Sequence, residues 1–189
     1  MKRSDHHMLG CFLLDQYGIN LEPATERLFL FGCVEPDMNP FTYTRGSLQY
    51  QFLHGHNRKN VKKHLNKIIE KLNESGVQSP TEWFTCGTAL HYMADSFTFP
   101  HNENFEGTVR EHRAYERRLH PVLEDYMGKQ NKKSIFIGRQ IDDIDLYHEE
   151  YMADFPSYMT DSKYIIGAVS DLFRSLLLNS DRSELRLAV

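Results

Sequence analysis

Apolar residues recur at helical spacing along most of the chain: Leu9, Phe12 and Leu13, then Ala24, Leu28 and Phe31, then Val61, Leu65, Ile68, Ile69 and Leu72, with His64 on the same stripe. Spacings of three and four place each set on one helix face and turn the intervening polar residues outward. The lysine-rich segment from Arg58 to Asn73 is such a helix, ended by Glu74, Ser75 and Gly76. Ser79-Pro80-Thr81-Glu82 starts another, with Pro near the first helical position and acid in the first turn, and predicts a helix from Thr81 to about Phe97. Pro100 stops or redirects the chain. Phe105 to about His120, just before Pro121, predicts a further helix. From Ile141 on, DDIDLYHEEY predicts one more, and Ser162 to Leu178 predicts a last, strongly apolar core helix carrying Ile165, Val169, Leu172, Phe173 and Leu176. The one β-rich stretch, Ser134 to Ile137, is isolated before Gly138 and reads as an extended loop. There is no internal repeat, so the pattern predicts an all-α, multi-helix fold.

At 189 residues, with no Gly/Ser-rich linker or shift in composition, residues 1–189 are expected to form a single domain. The formal net charge of -4 argues against a nucleic acid partner. Cys11, Cys33 and Cys86 form no CxxC pair and cannot all pair internally, so any metal is held by nitrogen and oxygen. The opening MKRSDHHMLGCFLLDQ has basic residues but no clean apolar run or cleavage site, and no window approaches 18 consecutive apolar residues. The expectation is a cytoplasmic protein, or a secreted one if a leader was removed from this sequence.

Chemistry concentrates between Gly87 and Glu116, where His91, Asp95, His101, His112 and Glu116 fall within 26 residues on a helix, a break and a second helix. The partners in His91/Asp95 and in His112/Glu116 are four apart, so each pair leaves one helix face, about 5–6 Å apart at Cβ. Imidazole and carboxylate without thiolate point to zinc first, with manganese, iron or nickel as alternatives. Five ligands exceed the need of one site, so two or more ions are expected.

GTALHYMADSFTFPH, with an LHxxxD helix, a histidine after a short turn and then HxxxE, resembles the zinc-dependent phospholipase C family, whose fold is shared by bacterial phosphatidylcholine-preferring enzymes and, more distantly, by fungal single-strand-specific nucleases. Upstream, FGCVEPDMNPFTY resembles the family's segment that carries its proposed general base, here Asp37, and the likeness runs on into FLHGHN. The resemblance implies a helical bundle with its metal cluster in a cleft between helices, and two or three zinc ions. One would be held by His56, His91 and Asp95, and a second by His101, His112 and Glu116. Asp95 would bridge to a third, which in the family also takes a histidine near the N-terminus and the amino group of the first residue. His6 fits that histidine better than His7, and Met1 stands where the family has tryptophan. His54 and His56 compete for one role, with His56 preferred for its GHN context.

The function so implied is phosphodiester hydrolysis, phospholipase C-like cleavage of a phospholipid headgroup with Asp37 as base. Zinc ions about 3.5–4 Å apart would offset the anionic charge and lower the pKa of bound water. On sequence physics alone Asp37 reads first as an N-cap or turn aspartate in PDMNP, on a loop after Gly32 restricted by Pro36 and Pro40, and it is the resemblance that favours the base. The expected partner is a phospholipid or other phosphodiester, reached by transient contact with a membrane surface. Phe41, Tyr43, Phe97 and Phe99 either meet an acyl chain or fill the core. His64, His120 and His148, and the acidic run Asp142, Asp143, Asp145, Glu149 and Glu150, are read as helix-face residues without a catalytic role. Two other readings stay open: a nuclease or nucleotidase using the same cluster, and a non-catalytic helical protein stabilised by zinc.

Overall fold

The computed structural model describes residues 1–46, 48, 54–130 and 143–187, with side chains up to residue 180. Its α-helices are α1 (Arg3–Tyr17), α2 (Pro23–Met38), α3 (Arg58–Ser75), α4 (Pro80–Ser96), α5 (Val109–Gly128), α6 (Ile144–Ala153) and α7 (Tyr158–Leu187), with short 3₁₀ turns at Pro40–Thr44 and Phe99–His101. No strand is present among the described residues, so the all-α expectation holds. The stretch Ser134–Ile137 and Asp142 lie outside them.

The central element is α4, buried on every side from Cys86 to Ser96 and packed by α1, α2, α3 and α7. Its start is fixed by a capping box: the Ser79 side chain accepts from the Glu82 N–H while Glu82 accepts from the Ser79 N–H. Around it Leu13, Phe29, Leu65, Leu72, Phe173 and Leu176 are fully buried, each contributing roughly 1.5–3 kcal/mol by leaving water. Cys11, Cys33 and Cys86 are free thiols. Among the described residues no helix is long and apolar enough to cross a membrane.

Three local expectations are corrected. On α2 the buried face is Phe29, Gly32, Cys33 and Pro36, while Leu28 and Phe31 are 40% and 44% exposed. The glycine lets the α2 main chain lie against α4, so the contact follows the smallest side chain and not the largest ones. Asp37 is on no loop: α2 continues through Pro36 and carries Asp37 in its last turn. Lastly, α5 runs through Pro121 to Gly128 and starts only at Val109, where Thr108 and Glu111 form a second capping box. Pro121 is exposed, so its ring is accommodated on the solvent side of the helix.

Candidate metal centre

The buried face of α4 presents His91 and Asp95, and the tight turn after it, Phe99–His101, returns His101 to the same place. From α5 come His112 and Glu116, from α2 Asp37, from the start of the chain Met1 and His6, and from the turn before α3 His56. Ligand atoms of Asp37, His56, His91 and Asp95 lie within 4.8 Å of one another, and those of His101, His112 and Glu116 do the same.

Hydrogen bonds outside this cluster fix which nitrogen each imidazole turns inward. His91 Nδ1 is 2.9 Å from the Cys33 carbonyl. A carbonyl oxygen only accepts, so Nδ1 carries the proton and Nε2 presents a lone pair. His56 Nε2 is 3.0 Å from Thr42 Oγ1, whose hydroxyl lies 2.6 Å from the Pro36 carbonyl and 2.7 Å from that of Asn39. The threonine proton goes to a carbonyl, so Thr42 accepts from His56 Nε2–H, and His56 Nδ1 is the bare nitrogen. His101 Nδ1 likewise faces the His56 carbonyl at 3.2 Å and leaves Nε2 free.

The bare nitrogens converge. With both rings neutral and their outer nitrogens protonated, His56 Nδ1 and His91 Nε2 stand 3.2 Å apart as facing lone pairs. Asp95 Oδ2 is 3.1 Å from His56 Nδ1 and 3.3 Å from His91 Nε2, while its Oδ1 faces the other way, 2.7 Å from the Met1 amino nitrogen and 3.2 Å from His6 Nε2. The carboxylate thus divides its two oxygens between two sets of nitrogen donors. Buried His6 Nε2 makes no hydrogen bond despite that proximity, and the His6 ring stacks on His91 at 3.8 Å between centroids. Glu116 Oε1 lies 2.9 Å from His112 Nε2 and 3.2 Å from the Met1 nitrogen. Facing lone pairs and an orphaned buried nitrogen repel or waste bonding capacity in a protein alone; cations between them resolve both. The donor set fits zinc.

Without a cation in place the carboxylates draw protons into the cluster: against the lowering effect of burial, Asp95 raises the His91 imidazole, and Asp95 and Glu116 raise the Met1 amine to about 11, so a bound cation would displace these protons. Burial opposes the charge on Asp95, yet His101, the Met1 amine, His91 and His6 hold its carboxyl well below the usual range. Burial and the neighbouring His91 keep His6 neutral, and burial lowers His101 to about 4, so both are ready to ligate as free bases. Asp37 is pushed up by burial, against the pull of His91.

Of the paired alternatives, His6 and His56 are buried beside Asp95, while His7 and His54 are exposed. His64 lies against Arg45, His120 is 2.6 Å from Asp5, and His148 binds Asn102 and the Ser96 carbonyl, all outside the cluster. Phe41 is 81% exposed and Tyr43 38%, whereas Phe97 is core. Sequence reasoning passed over two features. Asp37 sits 3.5 Å from His56 Nδ1, within the ligand group and not apart from it. Thr42, which fixes His56, carries no recognisable signal except its place after Pro40.

A cleft of about 470 Å³ opens onto the cluster, lined by Asp37, His56, His101, His112, Glu116 and Met1 among others. A helical protein with nitrogen and oxygen donors gathered at the floor of an open cleft has the layout of a hydrolytic metalloprotein. Residues 7–165 match the family model described as zinc dependent phospholipase C, and the chain belongs to that family. No curated protein and no solved structure matches the chain.

Proposed function

We propose that this protein is a zinc-dependent phosphodiester hydrolase that cleaves a phospholipid headgroup, releasing diacylglycerol and the phosphorylated headgroup. The observation that carries the reading is the convergence of His56 Nδ1 and His91 Nε2, 3.2 Å apart, on Asp95 Oδ2 beside an open cleft. His56, His91 and Asp95 would hold one ion, with Asp37 in reach of it, His101, His112 and Glu116 a second, and His6, Asp95 and the Met1 amine a third. Zinc bound there would offset the negative charge of the phosphate and acidify water. Asp37, at the cleft wall with its carboxyl raised by burial, takes the proton of the attacking water. Water oxygen then bonds to phosphorus as the bond from phosphorus to the glycerol oxygen breaks, and that oxygen takes up a proton from solvent to leave as the hydroxyl of diacylglycerol. Cys33 and Thr42 hold the imidazoles in the tautomers this requires.

The test is turnover of phosphatidylcholine and phosphatidylglycerol vesicles, p-nitrophenyl phosphocholine and single-stranded DNA by the zinc-loaded protein. Lipid hydrolysis that falls about 10²–10⁴-fold in Asp37→Asn supports the reading. DNA cleavage alone would make it a nuclease. Zinc-dependent stability with no turnover of any substrate would make the ions structural.

A further inference from the structure

We propose that the cleft selects a phosphodiester whose headgroup carries negative charge beyond the scissile phosphate, held by Lys2, Arg3 and Arg113. This rests on the hydrolase reading and names its substrate class. All three side chains line the cleft. Lys2 and Arg3 follow Met1, and Arg113 follows His112 on α5.

Their position sets them apart: of the described lysines and arginines, these three line the cleft, and no carboxylate there or elsewhere among the described residues pairs with them. The chain is net negative, and Arg58, Lys59, Lys62, Lys129 and Arg174 each find a carboxylate partner. Arg3 uses one N–H on the main-chain carbonyl of Asp37, at 3.3 Å, which fixes its guanidinium beside the floor of the cleft and leaves further donors for a ligand. The carboxylates among the described lining residues are Asp37 and Glu116, and both belong to the ligand groups. None is left to neutralise a cationic headgroup.

A quaternary ammonium is also recognised by several aromatic faces. Among the described lining residues the one phenol or phenyl ring is Tyr43, and one of its faces is stacked on His56 at 4.5 Å between centroids. A choline headgroup would therefore meet three unpaired cations and a single half-covered ring. An anionic headgroup meets its complement.

The probes form a charge series. Binding of phosphocholine, glycerol 1-phosphate and inositol 1,4-bisphosphate to the zinc-loaded protein is measured by calorimetry, and turnover of dihexanoyl phosphatidylcholine, phosphatidylglycerol and phosphatidylinositol 4-phosphate is measured below their micelle concentrations. Affinity and kcat/KM should rise along each series, by about tenfold or more from choline to inositol phosphate if three charge pairs act together. Arg113→Glu, with Arg113→Gln as the milder variant and zinc content checked in both, should flatten the series. Deacylated glycerophosphoinositol 4-phosphate turned over as well as its lipid, or the lipid turned over alone, both support the charge selection and differ in its source. A choline probe that binds or reacts best, or a series unchanged in Arg113→Glu, overturns the proposal while leaving hydrolysis standing. A binding series without turnover keeps the cationic rim and removes the hydrolase reading.

Discussion

Gly87 of α4 faces Gly32 of α2 so closely that a methyl group on Gly87 would lie 3.0 Å from the Gly32 carbonyl carbon and 2.8 Å from the Cys33 nitrogen. This main-chain contact brings the Cys33 carbonyl within reach of His91 and places Asp37, one turn further along α2, over His56. Packing and site geometry therefore share one cause.

Gly87→Ala should push the two helices apart, costing about 1–3 kcal/mol as overpacking does, and should lower zinc content with it. Gly128→Ala is the control, because nothing lies within 4 Å of a methyl group there. Chemical denaturation and elemental analysis of the two variants check this. Equal stability would mean that α2 and α4 are not in close contact.

Thr42→Val removes the acceptor that keeps the proton on His56 Nε2. Partners of this kind are typically worth 10–100-fold in metal affinity, so competition with a chelator should show zinc held about that much more weakly. An unchanged zinc affinity would show that His56 needs no such orientation.

Asp161 ties three elements to α7: its carboxylate accepts from the Phe99 N–H at 3.0 Å, from the Tyr115 hydroxyl at 3.0 Å and from the Tyr151 hydroxyl at 2.8 Å. It thereby positions the turn bearing His101 and the helix turn bearing Glu116. Asp161→Ala should cost about 2–4 kcal/mol, since three donors lose their acceptor, as read from urea midpoints.

Burial raises the Asp161 carboxyl from 3.8 to about 6, against the pull of the Phe99 N–H and the two phenols. The folded state thus binds this proton more tightly than the unfolded one. Its contribution to stability is complete below 3.8 and is lost as pH rises through about 6. Wild type should lose stability relative to Asp161→Asn across that window, measured as the difference between their unfolding free energies at each pH. A flat difference would contradict the raised value.

Much of this was legible in the sequence, for reasons visible in particular residues. Periodicity found the helices because each buries a stripe, and Ser79 with Glu82 announced the start of α4. The i,i+4 pairs on α4 and α5 fixed which residues could share an ion, and the family resemblance brought in His6, His56 and Asp37. The Pro rules misplaced two boundaries, since Pro36 and Pro121 both sit inside helices, the first buried and the second on the solvent side. The α2 face was misread because apolar size was taken as the guide, whereas Gly32 decided the contact. The resemblance preferred His6 to His7 and His56 to His54, and the preferred member of each pair is the buried one, whereas the part Thr42 plays needed three dimensions.

Two residue groups on this chain have the donors to hold zinc. Crystals of the zinc-loaded protein measured on both sides of the zinc absorption edge test directly whether they do. The account predicts anomalous peaks among His56, His91 and Asp95 and among His101, His112 and Glu116, with the respective peak lost in His91→Ala and in Glu116→Ala. Zinc bound elsewhere, or at neither group, would contradict it.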